Sequence, residues 1–282
     1  MTASHDIPTV DGNGAAIPVI GLGTSGLRGS DCVRAVETAL AEGYRHIDTA
    51  VMYGNEAEVG QALKASGVPR EKVFVTTKVL PGDLGAAALR QSARDSLKRL
   101  ALDNVDLLLI HWPNKAIPLA ESVAALCEAK KQGLARHVGV ANFPAAMLDE
   151  AVRLAASHGE KLSANQCEYH PRLDQTKLLA ACRGHGVVLV SYCPIGKGRL
   201  FDEPAIAAIA RRLGKAPSQV VLRWHTLQRG VAAIPKSSQR GHLIENLGVF
   251  DFDLSGADMA AISALASPNG RLVRPAMAPD WD

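Results

Sequence analysis

Aromatic residues make up only 4% of this 282-residue chain, and no apolar stretch approaches the roughly 20 residues needed to span a bilayer. The five cysteines form no C-x-x-C pair, which argues against a disulfide framework and favours reduced thiols in a cytoplasmic protein. The nine histidines include no H-x-x-x-H or H-E-x-x-H spacing, so we expect no bound metal. The first residues, MTASHDIPTV, lack a basic segment followed by an apolar core, so we expect no signal peptide.

Charge of one sign is also scarce. The formal net charge is +3 and no block of Lys or Arg occurs, so we expect neither nucleic acid nor a membrane as a partner. The chain is 47% apolar and 21% charged, which is typical of a soluble globular protein. No linker, low-complexity segment or repeat divides it, so residues 1–282 are predicted to form a single domain.

One motif suggests a dinucleotide. Gly21, Gly23 and Gly26 in GLGTSG spell G-x-G-x-x-G, and Asp48 follows after about twenty residues, as in a Rossmann fingerprint. A Rossmann dehydrogenase is therefore one hypothesis. Such a fold of this length would normally show a second domain or a cluster of helices, and the sequence shows neither.

Strand-like and helix-like segments alternate along the chain. Two apolar runs around Asp11-Gly12-Asn13-Gly14 predict a β-hairpin over residues 7–20. Seven further strands are predicted at 45–49, 73–79, 105–111, 137–142, 162–166, 186–192 and 231–237. We expect Ser30 and Asp83 to cap helices. Counting the strand before Gly21, roughly eight strand–helix units predict an α/β fold, a (β/α)8 TIM barrel with an N-terminal hairpin.

Polar residues end all eight predicted strands. They are Thr24, Asp48, Lys78, His111, Asn142, Gln166, Tyr192 and Lys236. In a barrel these positions converge on the C-terminal face, where the fold places its chemistry. Any one of them could simply hydrogen-bond its own loop, but the full set favours a functional site.

Four titratable residues suggest proton transfer. Tyr53 lies five residues after Asp48, and a phenol with a pKa near 10 is a poor proton donor at neutral pH. A lysine about 4 Å away contributes on the order of 4 kcal/mol at an effective dielectric of 20, so we expect Lys78 to lower the pKa of Tyr53. Asp48 would hold Lys78 protonated, and His111 would orient a carbonyl.

Six stretches resemble the aldo-keto reductase superfamily. They are GYRHIDTAVMYGNEAEVG, VFVTTK, DLLLIHWP, HVGVANF, NQCEYHP and IPKSSQRGHLIENL, which run in the family order between about residues 17 and 250. The closing NGRLVRPAMAPDWD and the short loop at 193–203 are most similar to small bacterial members, among them 2,5-didehydrogluconate (diketogluconate) reductases. The tail at 268–282 is then expected near the substrate pocket.

The resemblance implies reduction of a carbonyl to an alcohol with NAD(P)H, with NADPH as the expected cofactor. Tyr53 would be the general acid, Lys78 and Asp48 its tuning pair, and His111 the residue that orients the carbonyl. The implied cofactor contacts are Gly23, Thr24, Asp48, Asn142, Gln166, Tyr192, Ile195, Lys236, Ser237, His242, Glu245 and Asn246. The implied substrate pocket consists of Ser25, Met52, Leu80 and Trp112.

Departures from the family pattern sharpen these expectations. His242 stands where an arginine often clamps the 2′-phosphate, and a neutral imidazole lacks the charged fork of a guanidinium. Arg240 is a candidate to compensate. We therefore predict a weaker NADPH preference, with NADH also used. Ser25 and Leu80 replace aromatic residues, so the pocket is predicted to be wide and to suit small dicarbonyls or keto sugar acids.

Two other functions remain open. One is a regulatory barrel that binds a nucleotide without turnover, and the other is the Rossmann dehydrogenase. The presence of Asp48, Tyr53, Lys78 and His111 together favours the reductase, because a binding protein would not need all four. A monomer is the expectation that the family resemblance implies.

Overall fold

Eight parallel strands form the centre of the protein in the computed structural model, which describes residues 7–281. The strands are β3 (Leu22–Gly23), β4 (His46–Asp48), β5 (Phe74–Val79), β6 (Val105–Ile110), β7 (Ala135–Ala141), β8 (Leu162–Glu168), β9 (Val188–Tyr192) and β10 (Val231–Ala233). Each pairs with its neighbour in the chain. Hydrogen bonds from Gly21 N to Ala233 O and from Ala233 N to Val19 O, 2.9 and 2.8 Å long, join the last strand to the first. The TIM barrel predicted from the sequence is confirmed.

Helices surround the sheet. They are α1 (Gly29–Ala41), α2 (Glu56–Ala65), α3 (Ala86–Leu100), α4 (Leu119–Lys131), α5 (Ala145–Ser157), α6 (Thr176–Gly184), α7 (Pro204–Leu213), α8 (Pro217–Thr226), α9 (Arg240–Leu247) and α10 (Gly256–Ser263). Within residues 7–281, none of them is long and apolar enough to cross a membrane.

Alternation along each strand separates two apolar clusters. Leu107 and Leu109 of β6 belong to the cluster inside the barrel, whereas Leu108 and Ile110 pack in the cluster outside it. Successive side chains of a strand point to opposite faces, and here both faces are covered. This is why VDLLLI is a continuous apolar run.

The predicted hairpin consists of β1 (Thr9–Gly12) and β2 (Ala15–Pro18), joined at Asn13 and Gly14 with φ values of 51° and 95°. Positive φ at both turn residues suits an Asn-Gly pair. Ala15 and Ile17 belong to the interior cluster, so the hairpin closes the N-terminal end of the barrel. The opposite end remains for the polar strand termini.

Two helix-cap predictions are wrong. Helix α1 begins at Gly29 with Arg28 as its N-cap, and Ser30 lies inside the first turn. Helix α3 begins at Ala86 with Gly85 as its N-cap, because Asp83 ends a separate 3-10 turn. Short polar side chains also favour turns, which is the competing structure that Asp83 adopts here.

Two glycines of GLGTSG allow close packing between strands of the barrel. A Cβ on Gly21 would lie 2.7 Å from the ring of His46, and one on Gly23 would lie 2.8 Å from the carbonyl oxygen of Ile234. Both glycines permit close packing where the first strand meets its neighbours. The Rossmann hypothesis is wrong, because the motif occurs in a barrel.

Candidate active site

A buried ion pair lies at the C-terminal end of β4 and β5. Lys78 Nζ is 2.5 Å from Asp48 Oδ1 and also donates a 2.8 Å hydrogen bond to Thr49 O. Gln166 Nε2 donates to the other Asp48 oxygen at 2.6 Å. Burial by itself lowers the pKa of Lys78, but Asp48 and then Tyr53 outweigh it, and the pKa of Lys78 lies above its usual value. The lysine is therefore a fixed positive charge.

Tyr53 lies against this charge. The 3-10 turn Val51–Tyr53 follows β4, and Gly54 ends it in the left-handed conformation with φ 61°. Lys78 Nζ donates to the Tyr53 hydroxyl oxygen at 3.4 Å and lies 4.8 Å from the ring centroid. Because the lysine donates to the phenol oxygen, the phenol proton is left for another acceptor.

The expected lowering of the Tyr53 pKa is wrong in direction. Burial raises the pKa of Tyr53 more than Lys78 lowers it, and Asp48 raises it further. A phenolate would be poorly solvated at this position, which outweighs the attraction of one lysine whose charge Asp48 partly offsets. Tyr53 consequently stays protonated, as a proton donor must.

His111 faces the same hydroxyl-bearing ring. It follows β6 directly, is 6% exposed, and its ring centroid lies 5.6 Å from that of Tyr53 at an interplanar angle of 82°. Burial, assisted by Lys78, lowers the pKa of His111 to about 3. Its buried Nδ1 has no hydrogen-bond partner within residues 7–281. A neutral imidazole is therefore held beside Tyr53.

Two amide side chains and a tyrosine continue the site across the barrel. Asn142 has φ 65°, and its Nδ2 donates to His111 O at 2.9 Å. The Tyr192 hydroxyl donates to Asn142 Oδ1 at 2.8 Å. Together with Gln166 on β8, these residues connect the strand ends from β4 to β9 through contacts that the sequence alone did not specify.

A second group of predicted cofactor residues lies after β10, around α9. Lys236 is exposed, and Ser237 Oγ accepts a 3.1 Å hydrogen bond from Gln239 N just before the helix. His242 and Glu245 are exposed on α9. Asn246 is buried near Tyr44, whose hydroxyl donates a 3.1 Å hydrogen bond to Leu243 O of the same helix.

Arg240 is engaged elsewhere. Its Nε lies 2.7 Å from Glu42 Oε1 at the end of α1, and the carboxylate is largely buried. The guanidinium that could compensate for His242 is thus held by an acidic partner.

The predicted pocket residues differ in exposure. Ser25 and Met52 are exposed, Leu80 is half-buried, and Trp112 is 5% exposed. Trp112 packs edge-to-face against Trp281 with 6.5 Å between the ring centroids. The tail therefore supplies a second ring that the sequence reasoning did not place.

The remaining cofactor predictions lie in three places. Thr24 Oγ1 donates to Asp48 O at 2.9 Å, and Gly23 is packed against Ile234. Ile195 is half-buried in the loop after β9.

Asn55 and Glu168 are among the buried polar residues that sequence reasoning missed. Asn55 bonds to Thr24 O and Leu27 O at 2.9 and 3.1 Å and thereby braces the first loop. Glu168 is fully buried at the end of β8. A charged residue in an otherwise uncharged strand was the available signal for Glu168.

Within residues 7–281, no group of three or more His, Cys, Asp or Glu side chains is arranged to hold a metal ion. None of the five cysteines in this part of the chain forms a disulfide.

Comparison with known proteins gives one family. The family model described as "Aldo/keto reductase family" matches residues 19–267. An "Aldo-keto reductase" of Mycobacterium sp. (strain MCS) is 44% identical over 264 residues, which cover 92% of this chain and 91% of that protein. The "Methylglyoxal reductase DkgB" of Escherichia coli O157:H7 is 41% identical over 270 residues, covering 95% and 100%.

Solved structures agree. A crystal structure provisionally named a 2,5-diketo-D-gluconic acid reductase B has a TM-score of 0.95 at 44% identity and covers 98% of both chains. The aldo-keto reductase of Bombyx mori in complex with NADP has a TM-score of 0.86 at 33% identity and covers 95% of both. A family match over most of the chain and relatives above 40% identity along nearly its whole length lead to one conclusion: the chain belongs to the aldo/keto reductase family.

Proposed function

We propose that the protein reduces a small carbonyl compound to an alcohol with a nicotinamide cofactor, using Tyr53 as the proton donor. The observation that carries this proposal is the hydrogen bond from Lys78 Nζ to the Tyr53 hydroxyl oxygen. It leaves the phenol proton available and puts a positive charge where a phenolate would form.

The residues present fit a dinucleotide. The side-chain amides of Asn142 and Gln166 match a carboxamide in donors and acceptors, and Tyr192, whose hydroxyl donates to Asn142 Oδ1, offers an aromatic ring at the end of β9. Lys236 and Ser237 begin the loop after the last strand, where TIM barrels often bind phosphate. When bound, the cofactor supplies the hydride.

The chain's own residues handle the substrate oxygen. Neutral His111 donates a hydrogen bond that orients and polarises the carbonyl. Tyr53 gives its proton as that oxygen gains negative charge, and Lys78, held by Asp48, stabilises the resulting phenolate.

For the cofactor, we propose NADPH with appreciable use of NADH. His242 offers no permanent charge to a 2′-phosphate, and Arg240 is paired with Glu42. A preference for NADPH by several orders of magnitude in kcat/KM would contradict this.

For the substrate, we propose small dicarbonyls and keto sugar acids, such as methylglyoxal and 2,5-diketogluconate. The names of the relatives support this class. Ser25 and Leu80 are also smaller than the aromatic residues that the family often has at these two positions. We therefore expect a wider and less aromatic pocket than in those relatives. Bulky aromatic aldehydes proving clearly superior substrates would argue against it.

The decisive experiment compares Tyr53→Phe with wild type in a screen of NADPH oxidation over sugar keto acids, methylglyoxal, β-keto esters and simple aldehydes. We expect turnover to fall by a factor of about 10² to 10⁴, the usual contribution of a general acid, with cofactor binding retained. Tyr169→Phe is the matched control, because that hydroxyl bonds to Gln228 outside the site. Activity within tenfold of wild type in Tyr53→Phe would refute the assignment.

The same screen tests the regulatory alternative. Cofactor binding without turnover of any carbonyl by the wild-type protein would favour a nucleotide-binding barrel. We further propose that the enzyme works as a monomer in the cytoplasm, a reducing compartment that suits cysteines which form no disulfide within residues 7–281.

A further inference from the structure

The tail that follows α10 is anchored to one buried carboxylate. Glu168, at the end of β8, is fully buried and accepts hydrogen bonds from the backbone N–H groups of Leu272 at 2.6 Å and Val273 at 2.9 Å. His170 Nε2 lies 3.1 Å from the same carboxylate. The tail backbone is therefore tied to a barrel strand through a side chain.

Arg271 extends this anchor. Its Nη1 lies 3.9 Å from Glu168 Oε2, and its side chain is only 6% exposed. Within residues 7–281 this Nη1 makes no hydrogen bond, so Glu168 supplies its charge compensation. Burial lowers the pKa of Arg271, and Glu168 opposes that shift. A buried guanidinium without its carboxylate would be strongly unfavourable.

Arg271 in turn stacks on the ring of Trp281. The guanidinium carbon lies 3.5 Å from the centroid of the Trp281 ring, which is a close cation–π stack. Trp281 then packs edge-to-face on Trp112, a wall of the proposed substrate pocket. A continuous line of contacts therefore joins the Glu168 carboxylate, at the end of β8, to the Trp112 ring of the proposed pocket.

The tail also borders two cavities. Residues 276–279 border a cavity of about 670 Å³ on one side, and Arg271, Arg274 and Trp281 border another of about 530 Å³ beside the start of α6. The ion pair between Lys115 and Asp280, 2.9 Å long, is exposed, and such pairs contribute little. We therefore expect the buried anchor to contribute more to the position of Trp281 than the exposed ion pair does.

We propose that Glu168 is a positioning residue that sets the substrate range of the enzyme by holding Trp281, through Arg271, as a second aromatic wall of the substrate pocket. The proposal rests on the proposed function for the identity of that pocket. Small carbonyl compounds are confined by the wall that Trp112 and Trp281 form together, and release of the tail opens this side of the pocket to larger compounds.

The first test measures hydrogen exchange of residues 271–281 in the free protein. We expect exchange to accelerate by about tenfold or more in Glu168→Gln, because the isosteric amide removes the charge that holds Arg271. Lys115→Ala is the control and should change exchange by less than about threefold, since its ion pair is exposed. Unchanged protection in Glu168→Gln would overturn the anchor, whether or not the protein turns over any carbonyl.

The second test uses Trp281, whose side chain is only partly buried, so its variants are expected to fold. In Trp281→Ala we expect KM for methylglyoxal to rise about fivefold with kcat within about twofold, and relative kcat/KM for a bulky aromatic aldehyde to increase. Trp281→Phe should retain wild-type values. Glu168→Gln should show the same split between KM and kcat as Trp281→Ala.

These outcomes separate the two proposals. Normal turnover in Trp281→Ala with unchanged KM and size preference would refute the wall and leave the proposed function standing. Absence of turnover in wild type would refute the proposed function, and with it the wall, while hydrogen exchange would still decide the anchor.

Discussion

Lys78 Nζ and Asp48 Oδ1 lie 2.5 Å apart, and neither side chain is more than 1% exposed. The pair is fully desolvated, so each charge depends on the other. Removal of one partner leaves a buried charge without compensation, which is among the most destabilising changes a core can undergo.

Asp48→Asn should therefore lower the free energy of unfolding by about 3–5 kcal/mol as well as reduce turnover. Denaturant unfolding measures the first effect and NADPH oxidation the second. Asp95→Asn, which removes an exposed partner of Lys98, is the control and should leave both quantities unchanged. Wild-type stability in Asp48→Asn would show that Lys78 finds other compensation.

Turnover should be nearly independent of pH between about 5 and 9 as far as His111 and Tyr53 are concerned. The pKa of His111 is lowered to about 3 and that of Tyr53 is raised above its usual value, so neither group titrates in this interval. The pH profile of kcat/KM tests this. An acidic limb near 6.5 that disappears in His111→Gln would contradict the neutral histidine.

Stability should fall in mild acid. Burial lowers the pKa values of His46 and His225 to about 4, while the unfolded chain takes up these protons near pH 6.5. Between those values the unfolded state binds more protons. The stabilisation is therefore fully present above pH 6.5 and is lost as the pH falls towards 4, by on the order of 3 kcal/mol for each histidine.

Denaturant unfolding at pH 7, 5.5 and 4.5 measures this slope. His225→Gln should be less stable at pH 7, but its stability should depend less on pH. The unfolded variant lacks the imidazole that would take up a proton near pH 6.5. Ser263→Ala, which removes a hydrogen bond from nearby Trp224, is the control that destabilises without changing the slope. Equal slopes in all three proteins would show that His225 does not contribute.

Cofactor affinity should respond to Glu42. In Glu42→Gln the guanidinium of Arg240 loses its charged partner, and we expect the Kd for NADP+ to fall about tenfold, the equivalent of about 1.4 kcal/mol, while that for NAD+ stays constant. Quenching of tryptophan fluorescence measures both constants without turnover. The double variant Glu42→Gln/Arg240→Ala should lose the gain, and a gain that persists there would assign the effect to Glu42 alone.

Much of the fold could be predicted from local patterns of residues in the sequence. The Asn13-Gly14 turn, the apolar run of β6 and the order of strands and helices could all be predicted, because side-chain periodicity and turn conformations are local properties. The helix caps failed at Ser30 and Asp83, where several short polar residues compete for the same turn. The glycine motif failed as a Rossmann signal because close packing in a barrel needs glycines equally.

The candidate site was also predictable only in part from the sequence. By itself the sequence determined which polar residues end the strands, since a barrel gathers those ends on one face. Only the tertiary structure decided how they interact: that Lys78 donates to the Tyr53 oxygen, that burial outweighs that lysine in the pKa of Tyr53, that Arg240 belongs to Glu42, and that Glu168 holds the tail. Hydrogen-bond partners and desolvation depend on distances between residues remote in the chain, and local patterns do not contain those distances.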